Sequence, residues 1–174
     1  MTLVTRRTLL LPYSNEFRNE FIMLNCCPKN RAQMNGPHTV TSAKALFDSM
    51  LTDESTYAAA VVLSRTNEYI GHLFISELDT APELGFIFDK SVWGQGLATE
   101  ALQAFFPKAL QHLGLKQVKA SVNIGHTASL KLLAKLGFEV LGQNQDEFGP
   151  YYELQFCTDS AATYDEVEER SSLV

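Results

Sequence analysis

Residues 82–115 read PELGFIFDKSVWGQGLATEALQAFFPKALQHLGL, and three patterns follow one another in them. Leu84-Gly85-Phe86-Ile87-Phe88 is short, aromatic and β-branched, bounded by Pro82 and by Asp89-Lys90-Ser91. Such a run predicts a buried strand. From Ala98 onward, apolar residues recur at Ala101, Leu102, Phe105, Ala109, Leu110 and Leu113, the spacing of one helix face. Gly114 follows, where a glycine adopts a left-handed cap at little cost. Pro107 removes one bond to the carbonyl of Gln103 and predicts a bend inside that helix.

Between strand and helix lies Trp93-Gly94-Gln95-Gly96-Leu97-Ala98-Thr99. Two glycines in three residues allow a tight turn and leave no Cβ in the way of a ligand resting on peptide N–H groups. The helix adds unpaired first-turn donors and the positive end of its dipole. The pattern fits an anion site for a phosphate or pyrophosphate, and it fits equally a plain strand–turn–helix whose glycines serve the turn alone. Two familiar phosphate loops do not match. Gly96 is followed by Leu97-Ala98 instead of Lys-Ser/Thr, and Thr99 stands where a dinucleotide fingerprint has its third glycine.

On the N-terminal side, residues 56–63 (TYAAAVVL) predict a strand that turns at 65–68 and returns through 69–75, and residues 78–81 lead to the central strand. Such a meander predicts antiparallel pairing. Farther upstream, residues 3–11 read as a first strand. Phe17, Phe21, Ile22 and Leu24 predict a helix with Asn15 as its cap, and residues 26–37 predict an irregular link. A second helix has Thr41 or Ser42 as cap and Ala45, Leu46, Met50 and Leu51 on one face. On the C-terminal side, residues 117–122 alternate as a half-buried strand does. Residues 127–136 predict a helix with Leu130, Leu133 and Ala134 inward and Gly137 as cap. Residues 138–141 and 151–156 predict a last pair of strands joined by a polar loop, 142–150. The whole reads as an α/β (α+β) fold: a mixed, mostly antiparallel sheet of about seven strands with about four helices. Residues 1–158 form one domain in this reading, and 159–174 an acidic, frayed tail.

The chain has 174 residues, 45% of them apolar, enough for one well-filled core. Its formal charge is −6 and its basic residues form no run, which disfavours a nucleic-acid partner. No apolar stretch approaches a membrane span, and residues 1–14 lack the pattern of a signal peptide. Of three cysteines, Cys26 and Cys27 are adjacent, and none has metal-ligand spacing, so a reduced, cytoplasmic protein with no metal is expected.

The run ELGFIFDKSVWGQGLATEAL, with ASLKLLAKLGFEVLG about thirty residues later, resembles the GNAT superfamily of acetyl-CoA-dependent N-acetyltransferases. It is most similar there to the ribosomal-protein N-terminal acetyltransferase (Rim-type) branch, whose opening strand residues 5–12 also resemble. The resemblance spans roughly residues 5–156. It implies a sheet splayed in the middle and acetyl transfer from acetyl-CoA to a primary amine, on a small molecule or at a peptide or protein N-terminus. It is compatible with a homodimer. A non-catalytic acetyl-CoA-binding or interaction domain on the same fold is the alternative.

The resemblance also implies roles. Trp93, Gly94, Gln95, Gly96, Leu97, Ala98 and Thr99 would cradle the coenzyme A pyrophosphate, while Ile87 and Phe88 line the slot for the pantetheine arm. The edge of residues 84–88 would pair with that arm, one N–H polarising the thioester carbonyl. Trp93 replaces the Arg or Gln of many members, and it either touches the ligand or packs under the loop. Glu83 matches the glutamate that heads the family strand. As general base, next to Leu84 and Phe86, it is expected to have its pKa raised by burial; otherwise it is a solvated edge residue. His126 stands where the family has an asparagine bonding the pantetheine amide, and it reads as that contact, a cap or a second base. Leu133 occupies the position of the usual tyrosine acid, which leaves Ser129 as the nearest hydroxyl for the departing thiolate or as a bystander. A Cys–His–carboxylate hydrolase built from Cys26 or Cys27 with His38 or His72 has no spacing to support it.

Overall fold

The computed structural model describes residues 2–158; the predicted acidic tail lies outside the described residues. Eight strands are formed: β1 (Leu3–Val4), β2 (Thr8–Leu11), β3 (Tyr57–Leu63), β4 (Tyr69–Ser76), β5 (Glu83–Phe88), β6 (Gln117–Asn123), β7 (Glu139–Asp146) and β8 (Gly149–Cys157). They make one sheet in the order β1-β2-β3-β4-β5-β6-β8-β7, antiparallel throughout except between β5 and β6. Four α-helices accompany it: α1 (Arg18–Cys26), α2 (Val40–Thr52), α3 (Leu97–Leu113) and α4 (Thr127–Leu136). This is the mixed, mostly antiparallel architecture expected, with eight strands in place of about seven.

The extra strand comes from residues 3–11, which form a hairpin and not one strand. Leu3 pairs with Leu10, and the polar middle turns as Thr5 N–H donates to Thr8 O at 2.9 Å. The predicted loop 142–150 is also corrected, since most of it belongs to the β7–β8 ladder. Its residues are exposed on nearly every position of β7, so the alternation that marks a half-buried strand is absent there. The helix caps move as well. Thr39 caps α2 in a capping box with Ser42, and a 3₁₀ turn at Asn15–Phe17 precedes α1 without a side-chain cap. The inward face of α2 is Ala43 and Phe47, while Leu46 and Leu51 are exposed; in α4, Leu132 is buried and Ala134 is not.

β5 crosses to its parallel neighbour β6 through α3, which continues as one helix past Pro107 and ends at Gly114 with φ 64°. Ala101, Leu102, Phe105, Phe106 and Ala109 of α3 pack with Leu73, Ile75, Leu84, Val118 and Ala120 of the sheet. On the opposite face, Phe21 of α1 and Phe47 of α2 are fully buried against one another, with ring centroids 5.3 Å apart. No helix among the described residues is long and apolar enough to cross a membrane.

The feature that positions a site is the β5–β6 junction. Only one residue pair, Glu83 with Lys119, joins these strands, supported by Lys119 N–H to Pro82 O at 2.8 Å. Asp89 N–H donates to Ile70 O, so in the antiparallel β4–β5 ladder Gly85 and Ile87 turn their peptide groups toward β4. By the same alternation, Leu84, Phe86 and Phe88 turn theirs toward β6. Past the Glu83–Lys119 pair no ladder meets Phe86 or Phe88, and the edge of β5 opens into a gap.

Candidate active site

The loop after β5 is shaped by two left-handed glycines, Gly94 and Gly96, each with φ 75°. A Cβ on Gly94 would meet nothing within 4 Å, and one on Gly96 would lie 3.6 Å from an Arg7 nitrogen. Backbone conformation therefore demands glycine here, and crowding does not. Gly96 flanks α3 with no side-chain cap, and its carbonyl accepts from Glu100 N–H. The N–H groups of Leu97, Ala98 and Thr99 stay without partners among the described residues, which is a ready anion site.

That loop, the open edge of β5 and the start of α4 enclose one cleft of about 680 Å³, within the ~300–1,000 Å³ of small-molecule sites. Of the residues singled out in the sequence, it is lined by Ile87, Phe88, Trp93, Gly94, Gly96, Leu97, Ala98, Thr99, His126 and Ser129. Two others lie outside its lining. Gln95 turns its amide to Ser91 O at 3.3 Å. Glu83 sits half-buried at the head of β5, where it makes the last contact with β6.

Inside the cleft, Trp93 donates Nε1–H to Phe88 O at 2.9 Å, satisfying a carbonyl at the end of the open edge. The residue remains 48% exposed. Ser129 is buried, and its hydroxyl lies 3.4 Å from His126 Nε2. Burial holds the His126 imidazole below the ordinary histidine range, so it is neutral near pH 7 and offers one donor and one acceptor. It flanks α4 without a side-chain capping bond. Leu133 is buried in the core, so no acid group stands at its position.

A second cavity, about 220 Å³, lies on the α1–α2 side of the sheet and shares Met34 and Ile87 with the cleft. His72, Phe74 and Ser76 of β4 line it, together with Arg31, His38 and Asp53. Glu83 pairs with Ser76 and Ile87 with His72, so Glu83 and Ile87 share that face of β5.

A family model for the acetyltransferase (GNAT) domain matches residues 7–139 of this chain. The chain belongs to the GNAT acetyltransferase family. A curated relative, "Uncharacterized N-acetyltransferase p20" of Bacillus licheniformis, is 29% identical over 117 residues. That match covers 63% of this chain and spans 66% of the relative's length, just under two thirds. Among solved structures, the spermidine N-acetyltransferase from Vibrio cholerae, in complex with CoA and spermine, superposes with a TM-score of 0.78 at 13% identity, over 87% of this chain and 96% of that one. Mycobacterium smegmatis RimJ, in complex with CoA-disulfide, gives 0.77 at 17% identity, over 91% and 88%. The Rim-type branch is thus one of several GNAT likenesses, and these two show the shared fold.

Three residues of this GNAT domain carry loop geometry that local pattern did not reveal. Arg7 donates to Gln95 O at 2.9 Å and to Glu100, whose carboxylate also accepts from Arg7 N–H and the Thr5 hydroxyl. Asn30 reaches from the irregular link to donate to Asp89 and accept from Lys90 N–H at 2.7 Å. Each pairing spans 59 residues or more, and only a polar residue placed in an apolar or turn context hints at it. The cysteine alternative finds no geometry. Cys27 Sγ lies 3.2 Å from Lys90 Nζ, while His38 is bonded to Ser42 and His72 to Tyr13.

Proposed function

We propose that this chain transfers an acetyl group from acetyl-CoA to a primary amine. The observation that carries the reading is the opening of an unpaired strand edge and an uncapped helix N-terminus onto one cleft. A pyrophosphate needs donors at one end of such a slot, and an amide-bearing arm needs a strand edge along it. The residues fit acetyl-CoA: the N–H groups of residues 97–99 for its pyrophosphate, Phe86 for its arm, and a free N–H at Phe86 or Phe88 for its carbonyl. Bound there, acetyl-CoA supplies an activated acyl thioester.

The chain's own residues hold and move the proton. Glu83, on the β5 face that the small cavity shares, takes the proton of the incoming ammonium, directly or through water, so that the nitrogen lone pair is free to form the C–N bond as the C–S bond breaks. Ser129 offers its hydroxyl to the departing sulfur, and His126 holds the arm. The amine arrives from the small-cavity side, where the two openings meet at Ile87 and Met34. Amine-dependent release of coenzyme A from acetyl-CoA, measured with peptides, amino acids and polyamines, tests the reading. Tight acetyl-CoA binding with no transfer to any of them would make the chain a binding domain.

A further inference from the structure

The small cavity has a donor at its floor. His72 is 6% exposed, its Nδ1 lies 2.9 Å from the Tyr13 hydroxyl, and that hydroxyl lies 2.7 Å from the Tyr69 hydroxyl. Tyr69 has no other partner among the described residues, and burial pushes its hydroxyl pKa up, so its proton stays on. Of the two one-way arrangements, the reverse leaves the Tyr69 proton with no acceptor among the described residues; the forward one runs from Tyr69 to Tyr13 to Nδ1 and puts the spare imidazole proton on Nε2. Nε2 has no hydrogen-bond partner among the described residues. No buried side-chain polar atom there lacks one, so Nε2 is not sealed in, and the opening His72 lines is this cavity. Burial, with the nearby charge of Arg31, lowers the imidazole pKa to about 3. The ring is therefore neutral, and it donates.

Arg31 stands in the same lining with its charge uncompensated. It donates to Gly36 O, Asn25 Oδ1 and Met34 O, which engages three of five N–H groups. The ion pairs among the described residues are Arg7–Glu100 and Arg18–Asp48, and neither involves it. Asp53, the carboxylate in the lining, is already held by Ser55 N–H, the Ser55 hydroxyl and the Thr56 hydroxyl. A half-buried guanidinium with free donors, beside a buried N–H aimed into the same space, matches a planar carboxylate. A polyamine would meet a like charge there.

We infer that the small cavity takes the acceptor as a free α-amino acid, its carboxylate oxygens accepting from His72 Nε2–H and from Arg31, its amine directed to Ile87. The remaining walls, Leu46, Met50 and Phe74, are apolar and suit an aliphatic side chain. The inference rests on the acetyl-transfer reading for the fate of the amine, and on the cavity alone for recognition.

Titration of the full chain with leucine, leucinamide and spermidine tests recognition, and acetyl transfer to each is measured alongside. Leucine is expected to bind at least tenfold tighter than leucinamide, because the amide leaves the Arg31 charge unpaired. His72→Phe and Arg31→Met should each erase that preference while leaving acetyl-CoA affinity unchanged. Because Arg31 also ties its own loop, the wild-type comparison and the ¹⁵N signature of the His72 ring decide the matter if the variants fail to fold. Equal binding of leucine and leucinamide, preference for spermidine, or a proton found on Nδ1 would overturn the inference. Preferential leucine binding with acetyl transfer to none of the three amines would sustain carboxylate recognition and refute the acetyl-transfer reading.

Discussion

The cleft and the small cavity meet at Met34 and Ile87, yet they are built from different material. In the cleft the polar groups are main chain: three N–H groups at the start of α3 and the open edge of β5. In the cavity they are side chains held by other side chains, Tyr69 to Tyr13 to His72 and Arg31 to its own loop. Main-chain donors are fixed by backbone conformation, so such a site would tolerate Trp93 and His126 where the family resemblance implies other residues. A side-chain site changes its chemistry with any one substitution. A ligand common to a family suits the first construction, and a ligand particular to one member suits the second.

The largest expected effect crosses from one region to the other. Glu83→Gln removes proton acceptance at the head of β5, so turnover should fall on the order of 10²-fold while acetyl-CoA affinity stays within about twofold. Steady-state rates and calorimetry separate the two, and a variant with wild-type turnover would return Glu83 to an ordinary edge position.

Within the cleft, Gly96→Val forces a β-branched residue to φ 75° and should weaken acetyl-CoA binding at least tenfold, about 1.4 kcal/mol, with the fold retained. Gly142→Val is the control, since open space surrounds that position and its φ is ordinary. Equal affinities for the two variants would remove the main-chain account of the cleft.

The cavity has a pH signature instead. The folded pKa of His72 is about 3, below the ordinary histidine value of 6.5, so the unfolded chain binds the proton more readily. Above pH 6.5 this costs nothing. As the pH falls from 6.5 toward 3, stability should drop by about 1.4 kcal/mol per unit. Denaturant unfolding of the wild type and of His72→Phe should differ in slope across that window, and parallel curves would refute the assignment. The smallest effect is expected of Trp93→Phe, which leaves Phe88 O without its donor. Roughly 1 kcal/mol of stability should be lost, with a few-fold change in acetyl-CoA affinity read by the same calorimetry.

The stretch from Glu83 to Gly137 was legible because its signals are local: a strand bounded by proline and aspartate, glycines at left-handed positions, and a repeating helix face. Much of the cleft lining followed from it, but Gln95 turns its amide back to Ser91, Glu83 lies outside the lining, and Lys29, Asn30 and Met34 of the irregular link line the cleft without any local signal. The β7–β8 ribbon was not legible, since residues such as Gln143, Asn144 and Gln145 are exposed on both faces and show no alternation. Nor was the cavity. Tyr13 and His72 stand 59 residues apart, and Tyr13 and Tyr69 stand 56 apart, joined only by packing that no local pattern records. His72 itself was singled out in the sequence only as a partner for a cysteine nucleophile.

The single Glu83–Lys119 stitch between β5 and β6 also bears on solubility. An unpaired strand edge is adhesive, and on an outer rim it recruits strands from other chains. Here one unpaired stretch, the end of β5, is placed in the interior of the sheet, in a gap between two strands. The two outer rims are of another kind: β1 is two residues long, and β7 is exposed along nearly its whole length and polar beyond Leu141. The molecule thus turns one unpaired edge inward onto a cleft, while its outer rims are short or largely exposed to water.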